Sequence, residues 1–314
     1  MKLSPLKLGE KIVKLPIFQG GMAVRVSLAP LAAAVANCGG AGTIAGTGMS
    51  SRELMDEIRK ARSLTRGILG VNVLFAVSNF AELVKTALNE KIDFVVSGAG
   101  FSRDMFAWGR EANVPVIPIV SSAKLARISE KLGAAAVVVE GKEAGGHLGT
   151  DLPLKEILPE VRSAVSIPVI AAGGIVDAEG IAEVMRLGAD GVQMATRFVL
   201  SKECTVSENF KNHYLQAEKD DVVLVKSPVG FPGRALRNPF SERLSREEIG
   251  IDSCDGCLKV CNQDFCILDA LRRAEQGDME RGLVFSGENV YKIKVVLSVR
   301  DIFNNILNRL DTIE

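Results

Sequence analysis

The chain has 314 residues, of which 47% are hydrophobic and 24% are charged, a composition typical of a folded protein with one large core. The charges of its 38 basic and 38 acidic residues cancel, so the formal net charge is zero. The chain therefore lacks the excess of basic residues that would indicate nucleic-acid binding. No apolar run reaches the roughly 18 residues of a membrane span, and the first residues lack a signal-peptide pattern. We therefore expect a cytoplasmic protein with no membrane or nucleic-acid partner.

Short apolar runs rich in β-branched residues alternate with helical stretches along the first two thirds of the chain. Most of these runs are continuously apolar, as in parallel strands that are covered on both faces. The eight runs lie at residues 15–18, 40–46, 68–75, 94–100, 114–120, 134–141, 167–174 and 191–198. Because strand, helix and strand at this spacing form right-handed units, they predict a closed TIM (β/α)8 barrel. An open doubly wound sheet is the alternative.

Helix signals fill the intervening segments. Residues 27–40 end on two glycines, and residues 50–63 carry acid in the first turn and base in the last. Residues 121–134 and 177–190 both close with Leu-Gly-Ala, where the glycine suits a left-handed helix end. These four segments are predicted helices.

The strand–helix repeat stops after Leu200. We predict a barrel over residues 1–200, then a cysteine-containing, mostly helical lid over residues 201–290. Apolar residues at helical spacing in 298–310 predict a closing helix within residues 291–314 that packs on the barrel.

Glycines mark the predicted loops after the last two strands. Gly173 and Gly174 have no Cβ, so their backbone can approach an anion closely, and Thr196 adds a hydroxyl donor. Barrels often bind phosphate between these two loops. A simple strand-to-helix turn would also explain paired glycines, but their position favours a phosphate site.

His147 follows the sixth predicted strand in a glycine-flanked loop and is one of two histidines in the chain. Its ordinary pKa of about 6.5 suits proton transfer at neutral pH. We therefore predict a catalytic role, against the alternative of an exposed loop histidine.

Four cysteines cluster in the predicted lid with the spacing C-x2-C-x3-C-x4-C. Four thiolates this close together are able to ligate zinc or an iron–sulfur cluster. The alternative is four reduced thiols without a metal. The candidate ligands are Cys254, Cys257, Cys261 and Cys266.

Five segments together resemble a known family. They are PIFQGGMA (16–23), GVN (70–72), EGKEAGGHLG (140–149), PVIAAGGI (168–175) and GVQMATRF (191–198). In this order they are similar to the nitronate monooxygenases, formerly called 2-nitropropane dioxygenases, and equally to their relatives, the FMN-dependent enoyl-acyl-carrier-protein reductases II. The resemblance covers residues 12–205, and the cysteine cluster is not typical of either branch.

The resemblance implies FMN bound at the barrel mouth, with its phosphate at Gly173, Gly174, Gln193 and Thr196. It implies that the Gly21–Met22 backbone and Asn72 lie beside the flavin ring and that His147 faces the substrate. The complete set of cofactor-binding residues implied is Gly21, Met22, Ala23, Asn72, Glu140, Gly145, Gly146, Ala172, Gly173, Gly174, Gln193, Met194, Ala195 and Thr196.

The first functional expectation is a nitronate monooxygenase that oxidises nitronates or nitroalkanes with O2. The alternative is an enoyl-acyl-carrier-protein reductase, which implies NADH or NADPH as electron donor and acyl carrier protein as partner. No second glycine-rich dinucleotide fingerprint indicates which nicotinamide is used. Two further alternatives are a non-catalytic flavin- or phosphate-ligand-binding barrel and an enzyme that binds a sugar or nucleotide phosphate.

Overall fold

The computed structural model describes residues 1–251 and 254–313, and within them eight parallel strands close into a barrel. The predicted TIM barrel is therefore confirmed, and the open doubly wound sheet is excluded. The barrel strands, in chain order, are β3, β4, β5, β6, β7, β8, β10 and β11. The strand bounds are Leu6–Leu8 (β1), Lys11–Val13 (β2), Ile17–Gln19 (β3), Ala41–Ala45 (β4), Ile68–Leu74 (β5), Phe94–Gly98 (β6), Val116–Val120 (β7), Val137–Glu140 (β8), Gly146–His147 (β9), Val169–Ala172 (β10), Gly191–Met194 (β11), Val222–Val225 (β12) and Gly233–Leu236 (β13).

Helices surround the barrel, and α1, α2, α5 and α7 lie where the sequence predicts helices. The eighth strand ends earlier than predicted, because Thr196 already begins a short helix. The helix bounds are Ala29–Asn37 (α1), Ser51–Leu64 (α2), Phe80–Asn89 (α3), Arg103–Glu111 (α4), Ala123–Leu132 (α5), Leu154–Ala164 (α6), Ala178–Arg186 (α7), Thr196–Val199 (α8), Glu208–Gln216 (α9), Pro239–Ser245 (α10), Ile267–Gln276 (α11) and Val299–Thr312 (α12).

A hairpin that the sequence did not predict closes one end of the barrel. Its strands β1 and β2 pair antiparallel, with Leu6 opposite Val13. Both residues pack in the same apolar cluster as Phe18 and Phe94, whose rings meet edge to face at 5.9 Å. Because Leu6 also approaches Gly191 at the start of β11, the hairpin covers the amino-terminal ends of the strands. The carboxyl-terminal ends remain available for a site.

The segment after the barrel folds over those carboxyl-terminal ends. Besides α9, α10 and α11 it contributes β12 and β13, which the sequence did not predict. Strand β13 pairs antiparallel with both β12 and β9, and β9 belongs to the loop that follows barrel strand β8. A backbone ladder therefore joins the C-terminal segment to the loop that carries His147.

The last helix, α12, returns to the barrel and lies against α1 and α7. The ammonium group of Met1 donates hydrogen bonds to the carbonyls of Leu310 and Ile313, at 2.6 and 2.8 Å. The division into barrel, lid and closing helix stays a prediction. Within the described residues, no helix has both the length and the apolar character that a bilayer crossing needs.

Candidate active site

A cavity of about 1260 Å³, counting its open mouth, lies over the carboxyl-terminal ends of the barrel strands. Active sites of barrel enzymes lie at this end. A smaller cavity of about 410 Å³ adjoins it near β10 and β11. The two cavities share several lining residues, so one bound molecule is able to contact both.

The residues predicted from five separate segments meet at these cavities. Those that line the larger one are Gly21, Met22, Ala23, Asn72, Glu140, Gly145, Gly146, His147, Gln193, Ala195 and Thr196. Ala172, Gly173 and Gly174 line the smaller one, which shares Glu140, Gly145, Gln193, Ala195 and Thr196 with its neighbour.

Met194 is the exception among the predicted cofactor-binding residues. Its side chain is buried in the core between the barrel and its helices. Its carbonyl oxygen accepts a hydrogen bond from the Gly20 amide at 2.9 Å. Since neighbouring strand residues point to opposite sides of a barrel wall, the structure places Met194 away from both cavities.

Two glycines give the smaller cavity backbone amides that are free to bind an anion. Gly173 and Gly174 have φ angles of +115° and +69°, which suit glycine and few other residues. Within residues 1–251 and 254–313, neither glycine donates its amide hydrogen to a protein acceptor. A Cβ on Gly174 would lie 2.9 Å from the Glu143 Cβ. The hydroxyl oxygen of Thr196 accepts the Gly287 amide at 3.0 Å, which leaves its own hydrogen for another group.

Asn72 carries a buried polar atom that lacks a partner. Its Nδ2 donates to the Gly21 carbonyl at 3.1 Å, whereas its Oδ1 is buried and accepts no hydrogen bond from the described part of the chain. An unpaired buried acceptor costs about 1–3 kcal/mol. Gly21 allows this close contact, because a Cβ there would lie 2.3 Å from the Asn72 Cβ. The site thus presents a free acceptor to a bound molecule.

His147 is held between the barrel and the C-terminal segment. Its Nε2 lies 2.7 Å from the hydroxyl oxygen of Ser227, and its ring meets Phe285 edge to face at 5.2 Å. Its backbone pairs with Gly233 in β13. Burial lowers the pKa of the imidazole to about 4, so His147 is neutral at pH 7.

Glu140, at the end of β8, is the second titratable group on the cavity wall. Burial raises the pKa of its carboxyl group to about 8, so the group is protonated at neutral pH. No Lys, Arg or Asp is among the described residues that line either cavity. The cavity is therefore uncharged at pH 7.

The C-terminal segment supplies an apolar wall that the sequence did not predict residue by residue. The amphipathic pattern of α11 was the available signal, but it does not show which helix face meets the barrel mouth. The side chains of this wall are Leu258, Ile267, Leu268, Leu271, Leu283 and Phe285.

The four clustered cysteines lie in a loop attached to the barrel mouth, where the carbonyl of Cys257 accepts the Ser78 amide at 3.0 Å. Burial raises the pKa of the Cys257 thiol, and the neighbouring thiols of Cys266, Cys261 and Cys254 raise it further. No group of three or more His, Cys, Asp or Glu in the described ranges is arranged to hold a metal ion. The predicted zinc or iron–sulfur site is therefore not found there.

The comparisons with known proteins, by sequence and by structure, agree with one another. The sequence profile of the family "Nitronate monooxygenase" matches residues 5–87 and 68–309. A probable nitronate monooxygenase of Staphylococcus aureus (strain JH9) is 30% identical, with 96% of each chain covered. The structure of FabK from Thermotoga maritima superposes with a TM-score of 0.84 and 34% identity, covering 94% of this chain and 92% of FabK.

A third relative, from Mycobacterium tuberculosis (strain ATCC 25618 / H37Rv), is (3aS,4S,5R,7aS)-5-hydroxy-7a-methyl-1-oxo-octahydro-1H-indene-4-carboxyl-CoA dehydrogenase. It is 37% identical over 232 residues, which cover 73% of this chain and 65% of the relative. The match thus spans slightly less than two thirds of that relative's length.

Proposed function

The chain belongs to the nitronate monooxygenase family and is an oxidoreductase, and from this premise we propose that it uses FMN to reduce a carbon–carbon double bond conjugated to a thioester carbonyl. The observation that carries the proposal is the large, uncharged, mainly apolar cavity that adjoins a glycine-lined anion cradle.

The residues present fit FMN. Gly173, Gly174 and Thr196 offer unpaired amide or hydroxyl hydrogens, which suit a phosphate group. Asn72 offers a buried, unpaired acceptor on the wall of the adjoining cavity, which suits the N–H of a flavin ring. When bound there, the flavin supplies two-electron transfer, and the protein positions it and excludes water.

The cavity wall favours a neutral, apolar substrate over a small anion. A nitronate carries a negative charge, and moving it from water into an uncharged cavity is costly without a cation nearby. No Lys or Arg is among the described residues that line this cavity, and His147 is neutral at pH 7. An acyl thioester instead buries its hydrocarbon chain against Leu268 and Leu271.

The two titratable side chains supply the remaining chemistry. Reduction of an enoyl thioester needs a proton at the α-carbon and stabilisation of negative charge on the carbonyl oxygen. Glu140, protonated at neutral pH, is the proposed proton source. His147 is the proposed hydrogen-bonding group toward the substrate, and both residues line the same cavity.

Oxidation of nitronates or nitroalkanes is the second candidate, favoured by the family profile and by the neutral state of His147. A neutral imidazole has a lone pair that can accept a proton from a nitroalkane carbon. This candidate requires that the lone pair face the substrate.

An anaerobic titration separates the two candidates. The FMN-loaded protein is mixed with NADH or NADPH under nitrogen, and flavin bleaching is followed by absorbance. The proposal expects bleaching by one nicotinamide and reoxidation by a crotonyl thioester. No bleaching by either nicotinamide, together with oxygen consumption on adding propyl nitronate, would establish the monooxygenase instead. A colourless protein that does not take up FMN would overturn both.

The same assay tests for a non-catalytic barrel. His147→Ala is expected to retain FMN and to lower turnover by about 100- to 1,000-fold, the usual effect of removing one hydrogen-bond donor to a charge that develops in the transition state. If turnover with every acceptor is unchanged in this variant, His147 is not catalytic.

A further inference from the structure

Ser227 lies in the C-terminal segment between β12 and β13, eighty residues after His147 in the chain. It is 5% exposed. Its hydroxyl oxygen lies 2.7 Å from His147 Nε2, a normal hydrogen-bond distance. Ser227 is the one side chain of the described chain that hydrogen-bonds to the His147 ring.

The backbone fixes both partners. The Gly230 amide donates to the Ser227 carbonyl at 3.0 Å, which closes a turn around the serine. On the other side, His147 pairs with Gly233, and the Leu148 amide donates to the Pro232 carbonyl at 2.9 Å. Since the turn and the ladder belong to one short stretch of chain, main-chain hydrogen bonds hold the backbones of Ser227 and His147 close to each other.

The hydroxyl hydrogen of Ser227 has one acceptor within reach. The Val229 amide donates to the hydroxyl oxygen at 3.3 Å, so this contact does not use the hydroxyl hydrogen. Within residues 1–251 and 254–313, His147 Nε2 is the acceptor that remains. A buried hydroxyl hydrogen without an acceptor is unfavourable, which favours Ser227 as the donor and Nε2 as the acceptor. The single hydrogen of the neutral ring then resides on Nδ1.

We propose that Ser227 is a positioning residue that fixes neutral His147 as its Nδ1–H tautomer, so that the ring presents a hydrogen-bond donor to the substrate. This inference rests on the proposed function, because it assumes that His147 faces the substrate. Nδ1 has no hydrogen-bond partner in the described chain, and Phe285 packs against the ring and restricts its rotation. A donor at this position stabilises charge that develops on a thioester oxygen. Proton abstraction from a nitroalkane would instead need a lone pair there.

Nitrogen NMR reads the tautomer directly, without any assay of activity. The chain has two histidines, so protein labelled with 15N-histidine gives signals from two rings, and His147→Ala assigns them. At pH 7 the proposal expects His147 to show a protonated Nδ1 and an unprotonated Nε2. In Ser227→Ala the two nitrogens are expected to shift toward each other as the tautomers mix, whereas Ser227→Thr keeps the hydroxyl and the wild-type signals.

Kinetics provides the second readout. Loss of one hydrogen bond of ordinary strength is expected to lower kcat about tenfold in Ser227→Ala, with a smaller change in KM and with recovery in Ser227→Thr. Ser241→Ala is the matched control, because Ser241 is also a buried serine of the C-terminal segment but bonds to Asn238. It is expected to lower stability and to leave both His147 signals and kcat unchanged.

The outcomes separate this inference from the proposed function. A protonated Nε2 in the wild type, or His147 signals that do not change in Ser227→Ala, would overturn the role of Ser227 even if His147→Ala is inactive. Full turnover in His147→Ala would overturn the proposed function, whatever the tautomer is.

Discussion

Replacement of Gly174 by alanine tests the phosphate cradle. Gly174 has a φ of +69°, and a side chain in this left-handed region costs roughly 1–2 kcal/mol. The added Cβ would lie 2.9 Å from the Glu143 Cβ and 3.1 Å from Asn289 Nδ2, closer than the roughly 3.5–4.0 Å at which carbon atoms pack. The loop must therefore move and carry the Gly174 amide with it. Loss of one charge-assisted hydrogen bond, about 1.5–3 kcal/mol, raises the Kd for FMN about 10- to 100-fold.

The assay titrates flavin-free protein with FMN and, in parallel, with riboflavin, which lacks the phosphate. Gly174→Ala is expected to weaken FMN binding and to leave riboflavin binding nearly unchanged. Gly133→Ala is the matched control: Gly133 ends α5 with a φ of +94°, and a Cβ there would meet the end of the flexible Arg110 side chain. It carries the same backbone cost outside the cavities. Equal FMN affinity in both variants, or equal weakening of FMN and riboflavin, would refute the phosphate assignment.

Three further predictions concern the site wall, the barrel packing and the cysteine loop. Because the pKa of Glu140 is raised to about 8, the folded state keeps a proton that the unfolded state releases above about pH 4.5, and this group lowers stability as the pH rises to 8. The lowered pKa of His147 acts in the opposite direction up to about pH 6.5, so urea unfolding of the flavin-free protein should show the net loss between about pH 6.5 and 8, about 2 kcal/mol, and Glu140→Gln should abolish it. A Cβ on Gly42 would lie 1.9 Å from the Ala32 carbonyl oxygen, so Gly42→Ala should lower the free energy of unfolding by roughly 3 kcal/mol or more. A Cβ on Gly46 would meet side-chain atoms at 3.4 Å, so the control Gly46→Ala should lower it much less. Metal analysis after anaerobic purification is expected to show no stoichiometric iron or zinc, and one equivalent that disappears in Cys257→Ser would reinstate the metal hypothesis.

The barrel was predictable because its signal is local and repeated. Each barrel strand is a short apolar run, and four of the runs are followed by segments with recognisable helix signals. Once eight such units are identified, the handedness of βαβ units leaves few ways to connect them. The same rule explains why Asn72, Glu140, Gly173 and Thr196 all lie at the two adjoining cavities, since the ends of parallel strands meet at one face.

The remainder of the site depends on pairing between distant segments, which a single sequence does not encode locally. Ser227 meets His147 through the ladder between β9 and β13, and β9 consists of two residues. A two-residue strand has no recognisable pattern. Met194 was assigned to the cofactor from its place in a motif, whereas the alternation of side chains along β11 turns it into the core.

The protonation states of Glu140 and His147 connect the fold to the proposed chemistry. A barrel end left open to water would hydrate Glu140 and His147, and their pKa values would lie close to the ordinary 4.3 and 6.5. The C-terminal segment covers that end with apolar side chains, and burial raises the pKa of Glu140 to about 8 and lowers that of His147 to about 4. At pH 7 the enzyme therefore holds a protonated carboxyl group and a neutral imidazole, where the bare barrel would hold a carboxylate and a partly charged ring. Both groups are then able to donate a hydrogen, as the proposed reduction of an enoyl thioester requires at the α-carbon and at the carbonyl oxygen. Removing apolar surface from this wall, as in Leu271→Gln, should move both pKa values back toward their ordinary range and lower turnover without touching either residue.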